Sequence, residues 1–144
     1  MKMNRVKDKI KEIEIYLQEL SEIIPSSFEQ YKSELKTRAA CERYFEKIIE
    51  GILDLSFLFI KEYKFKTPEE DKQSFDILKE ENIISKELCE KLKDAKGMRN
   101  IISHEYGKID DEIVFDSIKD ELILDAEEFI KQIKKVLNKK WLKK

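Results

Sequence analysis

The chain has 144 residues, the size of one ordinary domain, and a formal net charge of −2. That balance excludes a global positive field, so any contact with RNA has to come from a local patch. Charged residues make up 42% and apolar residues 41%, with only 3 Gly and 2 Pro, a composition of long helices joined by short connections around a real core.

Val6, Ile10, Ile13, Leu17, Leu20 and Ile24 recur at helical spacing and predict a first amphipathic helix over 2–23, ended by Pro25. Ser26-Ser27-Phe28-Glu29 reads as a capping box, and the spacing predicts a second helix from about Ser27 to about Tyr63. Its later half, Phe45, Ile48, Ile49, Ile52, Leu53, Leu55 and Phe59, is apolar nearly all round, as in a helix buried from several sides. Gly51 within it points to a close helix crossing.

Thr67-Pro68-Glu69-Glu70 predicts a short third helix with Thr67 as N-cap and Pro68 at its first position; Phe75, Leu78 and Ile83 supply its apolar face. Ser85 caps a fourth helix over Lys86 to about Tyr106, with Gly107 at its end. Asp110 caps a fifth, which runs to about Lys140 with Ile109 stapled onto Val114. No strand alternation and no repeat are visible. The expected class is all-α: an antiparallel bundle of four main helices plus one short helix, in a single domain over 1–144.

Cys41 and Cys89 lack metal-ligand spacing and the chain has one His, so neither a zinc site nor any other metal or cofactor is expected. Both thiols read as reduced core residues of a cytoplasmic protein. Met1-Lys2-Met3-Asn4-Arg5 leads into a charged helix and not an apolar signal core. The longest nearly apolar run, Ile48 to Ile60, is interrupted by Glu50, Gly51 and Asp54 and is too short to span a membrane. Lys139, Lys140, Lys143 and Lys144 form a basic patch, most simply a solvated helix end that complements the macrodipole.

The segment with chemical content is Lys96-Gly97-Met98-Arg99-Asn100-Ile101-Ile102-Ser103-His104-Glu105-Tyr106. At about 100° per residue, Leu88, Leu92, Ala95, Arg99, Ile102 and Tyr106 share one stripe. A cation inside a core-facing stripe requires an anionic partner. Asn100 and His104 fall together on a different side, so Arg99 and His104 converge only through the length of the arginine or a loosening of the helix before Gly107.

One Arg and one His without metal ligands suit RNA cleavage, because RNA carries its own nucleophile in the 2′-hydroxyl. The reaction needs a base for that proton, an acid for the leaving 5′-oxygen, and a cation for the crowded phosphorane. Histidine serves as either acid or base near neutrality, and arginine offers an always-charged fork for phosphate oxygens. With a single His per chain, two-sided acid–base catalysis calls for another group or for a second His104 across a twofold dimer. The structural alternative is an ion-paired Arg99 and a His104 that merely complements the helix C-terminus.

Arg99-Asn100-Ile101-Ile102-Ser103-His104-Glu105-Tyr106 resembles the R-x4-H-x-Y form of the HEPN motif found in HepT-like toxins. Gly97-Met98-Arg99-Asn100 is similar to the family's Gly-aromatic-Arg-Asn lead-in, with Met98 in place of the commoner Phe. Arg43-Tyr44-Phe45, Ile52-Leu53-Asp54-Leu55, Phe75 to Leu78, Ile83-Ile84 and Tyr106-Gly107-Lys108-Ile109-Asp110 follow the family's order over nearly the whole chain.

The resemblance implies a HEPN fold and a toxin that cleaves RNA without metal, leaving a 2′,3′-cyclic phosphate. It implies Arg99 and His104 as the catalytic pair, Asn100 as the polar residue that helps orient the site, and a homodimer with both motifs facing one cleft. It also implies that an MntA-type nucleotidyltransferase antitoxin modifies Tyr106 with AMP. Each AMP would add bulk and a phosphodiester charge beside Arg99.

Asp54, the only carboxylate between Gly51 and Ile60, is a further candidate partner for Arg99 or Asn100, with an exposed acid at the bundle rim as the alternative. Glu42, Glu46 and Glu105 are weaker candidates. Competing functions are a non-catalytic HEPN subunit that binds nucleotide or a transferase partner, and a plain interaction bundle.

Overall fold

The computed structural model describes residues 3–104 and 109–142, with side chains over 4–104 and 109–139. Its helices are α1 (Met3–Ile23), α2 (Phe28–Ser33), α3 (Leu35–Glu62), α4 (Asp71–Glu80), α5 (Lys86–His104), α6 (Asp111–Asp116) and α7 (Ile123–Leu142). A π-helical segment, Ser117–Leu122, joins α6 to α7. The described residues contain no strand, and α1, α3, α5 and α7 are the four main helices of an all-α fold.

Cross-helix contacts fix the directions. Lys9 of α1 pairs with Asp54 of α3 at 3.5 Å, and the Tyr44 hydroxyl donates to Glu19 at 3.1 Å, so α1 and α3 run antiparallel. Lys134 of α7 reaches Glu14 at 3.0 Å while Lys119 donates to the Ser26 carbonyl just beyond α1, so α1 and α7 are antiparallel as well. Helix α3 touches α1, α2, α4, α5 and α7, and its buried positions include Phe45, Ile48, Ile49, Ile52, Leu55 and Phe59. That is the central placement its all-round apolar pattern predicts.

Gly51 marks a close approach of α1 to α3. A Cβ there would stand 2.8 Å from Cγ1 of the buried Ile13, too near for any real contact without displacing that side chain.

The expected helix over 27–63 is interrupted. Ser27 caps α2 by accepting from the Gln30 amide, but Glu34 is extended at φ −107° and ψ 91°, and α3 begins after it. Arg38 donates to the Lys32 carbonyl at 2.7 Å and so satisfies an acceptor that the break releases. The bend turns Tyr31 inward against Phe115, with ring centroids 5.0 Å apart. The Tyr31 hydroxyl is buried with no hydrogen-bond partner among the described residues, and burial raises its pKa. Leaving such a donor unpaired costs about 1–3 kcal/mol. Tyr31→Phe should therefore leave stability unchanged or raise it by about 1 kcal/mol; a loss above that amount in urea unfolding would show that the hydroxyl has a partner.

The third predicted helix also starts later than Thr67 and Pro68 suggest. Glu70 is the N-cap of α4, without a side-chain capping bond, and Gln73 instead accepts from the Glu69 amide. Phe75, Ile77 and Leu78 of α4 lie in the core. Asp76 then clasps α4 to α5. It accepts from Lys93 at 2.7 Å; burial alone would raise its pKa, but the hydrogen bond and charge of Lys93 hold it below the ordinary value.

Asp110 caps α6 by accepting from the Glu112 and Ile113 amides, as the sequence predicts, and Ile109 packs against the core that contains Val114. The fifth predicted helix is not uniformly α: the π turn buries Ile118 and Leu122 between Val114 and Ala126. Cys41 and Cys89 are free and buried, and desolvation pushes both thiols up to about 11.

Candidate functional site

Helix α5 carries the site. The Ser85 hydroxyl accepts from the Leu88 amide at 3.1 Å and starts the helix. Leu88, Leu92 and Ile102 are buried along one stripe, which turns Arg99 toward α3. There Arg99 Nη2 donates to Glu50 Oε1 at 2.8 Å, and one turn away Ser103 Oγ donates to Glu46 Oε2 at 2.6 Å. These two contacts set α3 and α5 antiparallel and make Glu46 and Glu50 the acidic stripe that α5 faces.

The remaining donors of Arg99 are less well served. Nη1 reaches Asn100 Oδ1 at 3.5 Å, a long contact, and Nε is buried without a hydrogen-bond partner among the described residues. Lys96 Nζ donates to the same Asn100 Oδ1 at 2.7 Å and lies 3.5 Å from Asp71 Oδ2 of α4. Lys96, Arg99, Asn100 and Glu50 thus form one polar group on the α3 side of α5, with Asp71 at its edge.

The expected anion beside Arg99 is present, but it is Glu50 and not Asp54. Asp54 is 64% exposed at its side chain and pairs with Lys9 of α1. The reason is which helix faces each carboxylate of α3. Helix α5 is tied to α3 at Glu46 and Glu50, whereas Asp54, one turn further along α3, lies beside Lys9 of α1.

His104 is exposed in the last turn of α5. Five residues separate it from Arg99, about 140° around a regular helix. Within one chain the two therefore address different sides of α5. Tyr106 lies outside the described residues, as do Glu105, Gly107 and the Tyr106 end of the predicted fourth helix.

Glu50 was legible only as an interruption of an apolar run, although its spacing of four from Glu46 is a usable signal for an acidic stripe. Nothing distinguished Lys96 from the other lysines of this chain. The assembly offers a guanidinium fixed on one edge with Nη1 only loosely engaged, next to a carboxamide and on the same helix as an accessible imidazole. Those groups suit an anionic, phosphate-bearing ligand.

The family model for ribonuclease HepT-like proteins matches residues 13–136. The chain belongs to the HepT-like family. A relative from Archaeoglobus fulgidus, named as a candidate RNase, is 31% identical over 129 residues, which cover 88% of this chain and 96% of that protein. The mRNA nuclease HepT of Shewanella oneidensis is 27% identical over 105 residues, 73% of this chain and 78% of the relative. Among solved structures, the tri-AMPylated HEPN toxin of Shewanella oneidensis in complex with its MNT antitoxin superposes with a TM-score of 0.83 at 23% identity, over 90% of this chain and 96% of that one. The cytosolic protein YutE of Bacillus subtilis, of unknown function, superposes with a TM-score of 0.81 at 20% identity, over 96% and 92% of the two chains. At these identities the structural matches show the HEPN fold. No described helix of this HepT-like chain is long and apolar enough to cross a membrane.

Proposed function

We propose that this HepT-like chain is the toxin of a toxin–antitoxin pair and cleaves RNA as a metal-independent endoribonuclease. The observation that carries the reading is Arg99, fixed by Glu50 beside Asn100 at the head of an intact R-x4-H motif. The names of the relatives as nucleases agree with it.

The chemistry follows from the groups. A base takes the 2′-hydroxyl proton, the 2′-oxygen bonds to phosphorus, and the P–O5′ bond breaks as an acid delivers a proton to the 5′-oxygen. The products are a 2′,3′-cyclic phosphate and a 5′-hydroxyl. Arg99 offsets the charge that builds on the phosphorane oxygens. His104 is the proton carrier, and as the single His of the chain it fills both roles only when a second copy supplies another. A homodimer with the two motifs opposed meets that need. Ile101, 56% exposed within the motif, belongs to its contact face.

The partner is an MntA-type nucleotidyltransferase antitoxin that places AMP on Tyr106. The AMPylated state of the Shewanella toxin in its antitoxin complex supports this assignment. The added phosphodiester charge competes with RNA for Arg99 and closes the site.

The test uses purified chain shown by intact mass to be unmodified, incubated with RNA in excess chelator. Cleavage to 2′,3′-cyclic phosphate ends is expected. Cleavage only on adding a divalent metal removes the metal-independent mechanism. A chain as inert as its His104→Ala variant removes the nuclease and leaves a non-catalytic subunit that binds nucleotide or a transferase partner.

A further inference from the structure

Lys96 is the one charged residue among those described that is buried below a tenth, at 7% exposure. An ammonium withdrawn from water requires strong partners. Its carboxylate partner, Asp71, is 3.5 Å away and half exposed, so it is loosely held. The short contact is to a neutral group, Asn100 Oδ1 at 2.7 Å, one helical turn along α5. Arg99 Nη1 approaches that same oxygen at 3.5 Å.

Two cationic donors on one carboxamide oxygen settle how the amide lies. The reverse orientation would aim an NH2 group at both cations. The oxygen of Asn100 therefore faces inward, and its two N–H donors lie on the opposite side of Cγ. We infer that Lys96 is a positioning residue that locks Asn100 as a hydrogen-bond donor to the RNA phosphodiester. This rests on the ribonuclease reading above. Lys96 is too buried to touch RNA, so its effect passes through Asn100. The substrate-facing group at this position is a neutral donor next to the Arg99 charge, suited to a phosphate oxygen and not to a hydroxyl proton.

Lys96→Met keeps length and apolar stem but removes the charge. Single-turnover cleavage should fall by about 10- to 100-fold, the scale of a misaligned donor to a phosphorane oxygen, with little change in KM. Lys96→Arg should restore most of the rate. Asn100→Asp keeps an oxygen for both cations and loses the donors, so it should fold normally and cleave as poorly as Asn100→Ala. Lys96→Met combined with Asn100→Ala should be no slower than Asn100→Ala alone.

A Lys96→Met variant that cleaves at the wild-type rate overturns the inference, as does a double variant whose loss is the product of the two single losses. Wild-type chain that does not cleave overturns the ribonuclease reading instead. In that case urea unfolding of the same four proteins decides the contact: non-additive midpoints support the lock on Asn100, and additive midpoints overturn it.

Discussion

His104→Ala should lower RNA cleavage by about 10²- to 10⁴-fold, the usual contribution of a positioned acid or base, and shift the melting temperature by only about 2–4 °C. The two outcomes come from one fact. His104 is exposed in the last described turn of α5, so truncating it removes no core packing and costs about 1 kcal/mol at most. Arg99→Ala should cost about 10²- to 10³-fold through loss of charge stabilisation. It also leaves Glu50 without its 2.8 Å partner, but that side chain is 40% exposed and water takes over the carboxylate. Single-turnover assays in chelator, read beside circular-dichroism melts, separate the effects. Wild-type rates in either variant, with RNA and products verified, would refute the assignment of that residue.

Phe59→Ala should be the most damaging core truncation, about 3–5 kcal/mol and roughly 10 °C in melting temperature for a chain of this length. Phe59 is fully buried in the central helix and packs on Tyr63 with ring centroids 4.5 Å apart; Tyr63 in turn stacks on Phe65 at 5.8 Å. Removing the first ring opens a void and loses the contact that the other two lean on. Leu35→Ala, at a residue 67% exposed at the start of α3, is the matched control and should be silent. A Phe59→Ala loss under 1 kcal/mol in urea unfolding would mean that the α3 core refills around the gap.

The long elements were readable because their signal is periodic burial. The Val6-to-Leu20 and Leu88-to-Ile102 stripes bury as spaced, and Ser27, Ser85 and Asp110 cap as their residue types predict. Tertiary packing overrode local preference at two helix boundaries. Nothing in Ser33-Glu34-Leu35 demands a break; the break exists because Tyr31 gains a place against Phe115. Thr67-Pro68 is a sound helix start by local rules, yet α4 begins at Asp71, with Glu70 as its N-cap.

The site divides the same way. Arg99 on a core stripe required an anion, which one sequence can tell. Whether the anion was Glu50 or Asp54 depended on which side of α3 each of α1 and α5 packs against, and a single chain's periodicity does not say which neighbour takes which side. Lys96 was hidden among many lysines until α4 and α5 were seen to enclose it.

The π turn at Ser117–Leu122 bears on how this helix tolerates changes in length. Val114, Ile118, Leu122 and Ala126 face inward at steps of four, and a regular α-helix would slip about 40° at each step. The wider winding absorbs that slip and keeps α6 and α7 in phase. It behaves as one residue looped into an otherwise ordinary rod. Excising a single exposed position there, such as Lys119, would tighten the winding to α and keep both ends in register, whereas the same excision within α3 would rotate Glu46 and Phe59 out of alignment with each other.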